Sequence, residues 1–199
     1  MLSENDRHKQ ELARIGFAEH YDEEGSAPWD IGRPKPPFIG IADQVIEPIL
    51  DAGCGTGDNS IFFASKGLKV VGIDFVEKAI TKAKNKIKGR KLPIEFFVKD
   101  AVELKDWAVK FNTIIDSGLL HAVWNKEKYI EGLRHVLNSG GRVYVLYFRD
   151  LPSSPGGISD NELRKLFSED WEIESIKFFE TNEKDLGEYK MNFAVIRKK

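Results

Sequence analysis

The segment from Pro48 to Ser60, PILDAGCGTGDNS, constrains the fold more than any other part of the sequence. An apolar run ends in Asp51, and Gly53, Gly55 and Gly57 then follow at alternate positions. Glycine adopts backbone conformations that other residues avoid, and it lets the main chain approach a ligand closely. We therefore expect a buried strand, a tight loop that contacts a ligand, and a helix that begins after the loop.

Beyond this segment, short apolar runs alternate with stretches of helical periodicity. The runs are rich in β-branched and aromatic residues, as buried strands are, and the longest spans residues 142–148. Among the helical stretches, Val76, Ile80, Ala83 and Ile87 recur at a spacing that gives one apolar face. The alternation predicts an α/β fold, an open and mostly parallel sheet with helices on both faces.

The C-terminal part has a different pattern. Ser159 and Glu162 have the spacing of a capping box, which predicts that a helix begins there. Two strand candidates follow, Trp171–Phe179 and Tyr189–Ile196, and only the polar stretch ETNEKDLGE lies between them. Because this gap is short for a parallel crossover and normal for a hairpin, the last strand is predicted to be antiparallel.

Residues 1–47 differ from the rest of the chain. They begin with a polar helical stretch and continue with a run of loop-forming residues between Gly25 and Pro37. The length of 199 residues suits one domain. We therefore expect a single domain over residues 1–199, with 1–47 as an N-terminal helical cover on the core 48–199.

Composition excludes several classes of protein. A formal net charge of -2 argues against a generally basic nucleic-acid binder. The single cysteine, Cys54, excludes an intrachain disulfide framework and a cysteine-rich zinc site, and we expect no metal centre. The polar first residues contain no signal sequence, and no apolar run is long enough for a membrane helix. These features predict a cytoplasmic protein without membrane contact.

The loop does not suit a diphosphate. In a dinucleotide-binding fold the glycines follow the pattern G-x-G-x-x-G, and the third of them would fall on Asp58. A carboxylate there would lie at the helix N-terminus, where a pyrophosphate normally binds. No Gly-Lys-Ser/Thr follows either, which excludes a P-loop. The loop therefore predicts a nucleoside-like ligand without a diphosphate.

Acids follow the predicted strands. Asp74 ends the second, where a carboxylate can accept hydrogen bonds from ribose hydroxyls, and Asp100 and Asp116 follow the third and fourth. Together with Asp51, they are predicted to face one crevice at the edge where open α/β sheets bind ligands. Four carboxylates would attract a cationic ligand and repel an anionic one.

In these residues the sequence resembles the class I S-adenosylmethionine-dependent methyltransferases. Their cofactor carries a sulfonium and an ammonium but no phosphate, in agreement with the electrostatic argument. The resemblance covers roughly residues 48–196 and implies a Rossmann-like fold that binds S-adenosyl-L-methionine. It implies that Gly53, Gly55 and Gly57 cradle the methionine and ribose portions and that Asp51 supports the ammonium group.

The resemblance also assigns the remaining acids. Asp74 would hold the ribose diol beside Phe75, Asp100 with Ala101 would meet the adenine, and Asp116–Ser117 would lie near the methionine end. For Asp100 an alternative is that it caps a helix.

The residues after the loop have alternative roles too. Asn59 is a candidate cofactor contact, although Asp58 and Asn59 could instead cap the helix that follows the loop. Cys54 is expected to be a small spacer between the glycines and not a nucleophile.

Part of the cover, Ala27 to Pro36 (APWDIGRPKP), resembles the Trp-Asp-x-Gly-Arg segment of the thiopurine and thiol methyltransferase group. It is also similar to related bacterial enzymes that methylate small heterocycles and quinols. In that group the segment folds over the cofactor, which implies cofactor contacts for Trp29 and Arg33. The alternative for Trp29 is an aromatic that holds the proline-rich loop on the core.

Sequence features also bear on the methyl acceptor. After the fourth strand the chain has Asp116-Ser117-Gly118-Leu119, and not the Asn/Asp-Pro-Pro-aromatic motif of nucleic-acid amino methyltransferases. The basic run between Lys78 and Lys91 favours RNA, but it falls on the polar side of an amphipathic helix, where a solvated face is expected. We therefore expect no DNA substrate and disfavour RNA.

These observations favour a methyltransferase that acts on a thiol, a hydroxyl or a ring nitrogen of a small molecule. His121 is the candidate general base because it follows Asp116 on the loop at the same sheet edge. Tyr21, also a weaker candidate base, and Phe148 are candidate acceptor contacts. The alternatives are an RNA or protein methyltransferase, or a protein that binds S-adenosyl-L-methionine without catalysis.

Overall fold

The computed structural model describes residues 4–21, 27–149, 157–181 and 189–199. Within these ranges the centre of the molecule is one mixed sheet, with the strands β1 Ile49–Ala52, β2 Val70–Asp74, β3 Ile94–Val98, β4 Phe111–Ser117, β5 Leu137–Phe148, β6 Trp171–Thr181 and β7 Tyr189–Lys198. Their order in the sheet is β3-β2-β1-β4-β5-β7-β6.

Helices surround the sheet and precede it. The helices of the cover are α1 Glu4–Glu19 and α2 Pro36–Ile39. Those of the core are α3 Asp58–Ser65, α4 Glu77–Lys86, α5 Leu119–Ala122, α6 Lys126–Val136 and α7 Asp160–Leu166, and a 3-10 helix spans Ala101–Asp106.

The strand directions confirm the predicted fold class. β1 pairs in parallel with both β2 and β4, and the parallel set continues to β3 on one side and β5 on the other. β7 is antiparallel to β5, as predicted for the last strand, and β6 pairs antiparallel with β7. The strand order reverses at β1, and open α/β sheets bind ligands beyond the carboxyl ends of the strands at such a point.

Apolar side chains fill both faces of the sheet. On one face Leu50 and Ile114 pack with α6 and α7 through Leu133 and Leu163. On the other face Ile49 belongs to a second cluster, whose members include Phe38, Phe63, Ile115 and Tyr144. Because helices cover both faces, β1 is buried along its whole length and supplies a rigid base for the glycine loop.

Element boundaries agree with the sequence prediction to within a few residues. Ser159 caps α7 as predicted, since its hydroxyl accepts a hydrogen bond of 3.1 Å from the amide of Glu162. The helix α6 ends at Val136, and β5 begins directly after it at Leu137. Most of the stretch ETNEKDLGE and of the loop 149–160 lies outside the described residues.

The cover is helical at its start, as predicted, since α1 occupies the polar first segment. The limits of a single domain over residues 1–199 stay a prediction. Among the described helices, none is long and apolar enough to cross a membrane.

Candidate functional site

A cavity of about 320 Å³ lies at the carboxyl ends of the parallel strands. Its wall includes Gly53 after β1, Asp74 at the end of β2, Asp100 after β3 and Ser117 at the end of β4. The cover closes another side with residues of α1 and of the loop before α2. The size lies at the lower end of the range for small-molecule sites.

The glycine loop takes the shape that its sequence requires. Gly53, Gly55 and Gly57 have φ values of 68°, 54° and 85°, in the left-handed region where a side chain is strained. Gly57 is also the N-cap of α3, so the loop leads directly into the helix. The alternating glycines therefore let the main chain turn sharply between β1 and α3.

Asp74 connects the loop to the next helix. One of its carboxylate oxygens accepts a hydrogen bond of 3.0 Å from the Gly55 amide, and the other accepts one of 2.9 Å from the Val76 amide. Burial raises the pKa of Asp74 although both hydrogen bonds oppose the rise. The residue thus has a structural role in addition to facing the cavity.

The structure separates the four predicted acids into two pairs. Asp74 and Asp100 line the cavity, whereas Asp51 and Asp116 are fully buried and do not. Asp51 accepts a hydrogen bond of 2.5 Å from Ser60, and Asp116 accepts one of 2.9 Å from the Tyr129 hydroxyl. The expectation that all four face the crevice is therefore corrected, because partners inside the fold hold two of them.

Burial also changes the charge of the two enclosed acids. Loss of hydration raises the pKa of Asp51 to about 7, and the pKa of Asp116 to about 7 as well. The second oxygen of Asp51, Oδ1, has no hydrogen-bond partner among the described residues. Each carboxyl is therefore partly protonated near neutral pH, and Asp51 keeps one oxygen for a further donor.

Most of the predicted site residues line the cavity: Tyr21, Trp29, Gly53, Asp74, Phe75, Asp100, Ala101, Ser117, His121 and Phe148. The others are outside its lining: Arg33, Asp51, Gly55, Gly57, Asn59 and Asp116.

Three of the residues outside the lining are closely packed. A Cβ at Gly55 would lie 3.0 Å from the Tyr21 hydroxyl, and one at Gly57 would lie 2.6 Å from the Phe96 ring. Asn59 accepts a hydrogen bond of 3.0 Å from the Lys35 amide.

Two hydrogen bonds hold the loop of the cover on the glycine turn. The Thr56 hydroxyl donates to Asp30 at 2.6 Å, and the Lys35 amide donates to Asn59 at 3.0 Å. Lys86 of α4 in turn donates to Thr56 at 2.6 Å and to Asp58 at 2.8 Å. The loop from Ala27 to Pro36 is thus fixed to the start of α3, which places Trp29 at the cavity.

At the Asp100 end the structure adds a residue that the sequence did not indicate. Asp100 caps the 3-10 helix by accepting a hydrogen bond of 3.0 Å from the Val102 amide, which was the alternative role for this acid. Its other oxygen forms an ion pair with Arg14 of α1. The Arg14 guanidinium also lies 4.5 Å from the centroid of the Phe75 ring.

The opposite end of the cavity is apolar and aromatic. The His121 ring lies 4.5 Å from the Phe148 ring, centroid to centroid, and Trp124, Phe179 and Met191 complete this wall. Burial lowers the pKa of His121 to about 4, and its Nδ1 atom has no hydrogen-bond partner in the described part of the chain. A neutral imidazole therefore borders the apolar end at physiological pH.

Several lining residues had no sequence signal. Arg14 and Phe17 lie in a polar helix far from the loop, and Trp124 lies in the link between α5 and α6. Phe179 and Met191 lie in strands that show only ordinary core patterns. The positive charge and aromatic rings of these residues contribute to the site only because the fold brings them to one edge of the sheet.

The residues present fit S-adenosyl-L-methionine. In the lining, the Ser117 hydroxyl has no hydrogen-bond partner among the described residues and suits an ammonium group, and the carboxylate of Asp74 can accept from ribose hydroxyls. Asp51 Oδ1 is a further acceptor without a partner in the described ranges, but it lies outside the lining, so an ammonium group would reach it only from the deepest part of the site. No cluster of metal-binding side chains occurs among the described residues.

Comparison with known proteins agrees with this site. Residues 45–191 match the sequence family described as a methyltransferase domain. A 2-heptyl-1-hydroxyquinolin-4(1H)-one methyltransferase of Mycobacteroides abscessus is 32% identical over 159 residues, which are 75% of this chain and 70% of that protein.

Two solved structures share the fold. One comes from work on the conversion of a disulfide bond into a thioacetal group during echinomycin biosynthesis, with a TM-score of 0.79 and 29% identity over 94% of this chain and 91% of that one. The other is the N-methyltransferase NodS of Bradyrhizobium japonicum with S-adenosyl-L-homocysteine, with a TM-score of 0.75 and 16% identity over 94% and 98%.

The fold and the family match define the class of this protein as a Rossmann-like methyltransferase. The chain belongs to the methyltransferase domain family, and its methyl donor is S-adenosyl-L-methionine.

Proposed function

We propose that the cavity binds S-adenosyl-L-methionine along Gly53, Asp74 and Asp100 and a small-molecule acceptor against His121 and Phe148. The observation that carries this proposal is the division of one cavity into a charged end and an apolar end; the charged end has the carboxylates Asp74 and Asp100 and the cations Arg14, Lys35 and Lys99. In the described lining, the charged side chains belong to the cover, to the end of β2 and to the segment after β3. The segments after β4 and β5 contribute no Asp, Glu, Lys or Arg to it.

This division suits methyl transfer. The bound cofactor supplies a methyl group on a positively charged sulfur, and an apolar environment assists a displacement that destroys charge. The chain's own part is to hold the acceptor in line and to exclude water, and orientation of this kind accounts for about 7–11 kcal/mol in favourable intramolecular reactions. Phe148 and Trp124 can perform both tasks from the apolar wall.

The acceptor is proposed to be a flat, uncharged aromatic compound. Trp124, Phe148 and Phe179 offer ring faces, and an alkylammonium acceptor would find no carboxylate at this end. The relative from Mycobacteroides abscessus, named for a hydroxyquinolinone, supports the same class. The reacting atom is proposed to be a hydroxyl, thiol or ring nitrogen, in line with the resemblance to the thiopurine and thiol group.

His121 is proposed to hydrogen-bond the reacting group. Because its imidazole is neutral at physiological pH, it can accept or donate a hydrogen bond without adding charge. With a pKa of about 4 it is a weak base, so the acceptor must lose its proton easily. An acidic hydroxyl or thiol meets this condition better than an aliphatic alcohol does.

Two other functions make different predictions. An RNA or protein methyltransferase would use the basic residues of α4, but Lys86 is already engaged by Thr56 and Asp58. A protein that only binds the cofactor would need no acceptor wall. The absence of DNA, RNA and membrane partners, a cytoplasmic location and the oligomeric state remain predictions.

The test is an acceptor screen that measures release of S-adenosylhomocysteine. We expect turnover with hydroxyquinolones, phenols or aromatic thiols and none with RNA or protein. The variant Asp74→Asn should weaken cofactor binding about tenfold or more, through loss of a charge-assisted hydrogen bond. Thermal unfolding must be measured beside it because Asp74 also holds two amides.

The exposed Glu95 of β3 provides the control variant, Glu95→Gln, which should bind the cofactor as the original protein does. Unchanged affinity in Asp74→Asn would reject the ribose assignment. Turnover with RNA or protein, together with no turnover on any aromatic acceptor, would reject the proposed acceptor class. Tight cofactor binding without any turnover would favour the non-catalytic alternative.

A further inference from the structure

One face of α1 is directed at the cavity. Arg14, Phe17 and Tyr21 all line it, and Ala18 packs on the cluster formed by Tyr21, Ala27, Val76 and Ala79. Phe17 and Ala18 are three and four residues after Arg14, the spacing that puts side chains on one side of a helix, and Tyr21 follows the end of α1 by two residues. Arg14 is the first member of this row.

The other side of the helix faces solvent. Leu12 is 55% exposed and Ile15 is 47% exposed, although both are large apolar residues. Among the described side chains of α1, the contacts with the body of the molecule are therefore on the cavity side. A helix held from one side depends strongly on each contact there.

Arg14 makes two contacts with the core, and both are at the cavity rim. Its guanidinium forms an ion pair with the carboxylate of Asp100 and lies 4.5 Å from the centroid of the Phe75 ring. Phe75 follows β2 and Asp100 follows β3, which are neighbours in the sheet. The Arg14 side chain thus contacts residues at the ends of two neighbouring strands. Arg14 and Asp100 are 86 residues apart in sequence.

The chemistry of arginine suits this position. A planar guanidinium can pair with a carboxylate and stack on an aromatic ring at the same time, whereas an ammonium is a compact point charge. Asp100 already uses one oxygen for the Val102 amide, and Arg14 takes the other. Asp74 is a second carboxylate close by, since the charge of Asp100 contributes to raising the pKa of Asp74.

We propose that Arg14 is a positioning residue that fastens α1 over the adenosine end of the cavity and so retains the cofactor. This inference rests on the proposed placement of the cofactor along Gly53, Asp74 and Asp100. Arg14 acts through α1 and not on the reacting atoms. Its loss is expected to speed the release of the cofactor and its product.

The test compares Arg14→Ala with Arg14→Lys and with a control on the solvent side of the same helix, Glu11→Gln. Dissociation of S-adenosylhomocysteine is followed by stopped-flow tryptophan fluorescence after displacement. Loss of an ion pair and a cation–π contact at a partly exposed site predicts dissociation roughly five- to tenfold faster in Arg14→Ala. The dissociation rate of Arg14→Lys should lie between those of the original protein and Arg14→Ala, because lysine keeps the positive charge and loses the planar stacking on Phe75.

Hydrogen exchange of the α1 amides supplies the second measurement. S-adenosylhomocysteine should slow exchange over residues 12–19 in the original protein and in Glu11→Gln, and much less in Arg14→Ala. Equal dissociation rates and equal protection in Arg14→Ala and the original protein would overturn the proposal. Tighter binding in Arg14→Ala would overturn it too, because Arg14 would then compete with the cofactor.

These outcomes are distinct from failure of the proposed function. If the original protein does not bind S-adenosylhomocysteine, the placement of the cofactor is wrong. If it binds and Arg14→Ala releases the ligand at the same rate, the placement stands and the role of Arg14 is wrong.

Discussion

The hydroxyl of Tyr21 accepts a hydrogen bond of 2.9 Å from the indole nitrogen of Trp29. The same hydroxyl lies 3.0 Å from the position that a Cβ would occupy on Gly55. Burial, and then the nearby carboxylate of Asp74, raise the pKa of Tyr21 well above its usual value. Tyr21 therefore joins the cover to the glycine turn as a neutral phenol, and it is unsuited to act as a base.

We expect Tyr21→Phe to lower the free energy of unfolding by about 1 kcal/mol, because the Trp29 indole would lose its hydrogen-bond acceptor. Cofactor affinity should fall as well, since Trp29 lines the cavity. Denaturant unfolding and calorimetric titration with S-adenosylhomocysteine measure the two effects. Tyr144→Phe is the matched control, because the Tyr144 hydroxyl makes no hydrogen bond within the described ranges. Equal losses in both variants would contradict the prediction.

The sequence was sufficient to predict the parts of the site that are local in the chain. Gly53, Gly55 and Gly57 must turn sharply wherever they are placed, and Asp74 ends a strand whose parallel neighbours bring their ends to the same edge. The order of strands and helices follows from periodicity for the same reason. These features depend on the backbone and on residues that are close in sequence.

Side-chain partners between distant segments were not predictable in this way. A position at a strand end does not tell whether an acid faces the cavity, and Asp51 and Asp116 turn inward because Ser60 and Tyr129 provide hydroxyl donors there. The pairing of Arg14 with Asp100 depends on how α1 crosses the sheet edge, which no local pattern encodes.

The pH dependence of stability should show the buried state of His121. Its pKa is lowered from 6.5 to about 4, mainly by burial, so between these values the unfolded chain binds a proton that the folded protein does not. The free energy of unfolding should therefore fall as pH drops from 6.5 towards 4. In His121→Gln this part of the acid dependence should be lost, as measured by denaturant unfolding at several pH values.

His135→Gln serves as the control for that series because it leaves His121 intact, so the acid dependence due to His121 should remain. If His121→Gln shows the same slope between pH 6.5 and 4 as the original protein, His121 is not held neutral by burial.

Cofactor binding should release a proton from Asp51. Burial raises the pKa of this carboxyl to about 7, and an ammonium group near the unpartnered Oδ1 would lower the pKa again. Binding at pH 7 should therefore release up to about half a proton, since a group at its pKa is half protonated. Calorimetry in two buffers of different ionisation enthalpy measures this number directly.

The release should grow towards pH 6 and disappear towards pH 9, where Asp51 is already ionised. Asp51→Asn should abolish it, whatever the change in affinity. A binding enthalpy that does not depend on the buffer at pH 7 would show that the cofactor's ammonium group does not approach Asp51.

Gly57→Ala should separate backbone strain from crowding in the glycine loop. At φ = 85° any L residue is strained, and the new Cβ would lie 2.6 Å from Cζ of Phe96 and 3.2 Å from Cβ of Ala83. Strain of about 1–2 kcal/mol and overpacking of about 1–3 kcal/mol predict a loss of about 2–5 kcal/mol in the free energy of unfolding.

Gly67→Ala is the matched control, because Gly67 has φ = 87° and nothing within 4 Å of a new Cβ. It should show the strain alone, about 1–2 kcal/mol. The difference between the two variants then measures the cost of moving Phe96, and adding Phe96→Leu to Gly57→Ala should recover part of it by making room for the methyl group. Equal destabilisation at both glycines would mean that Phe96 moves aside freely. The backbone conformation alone would then require a glycine at position 57.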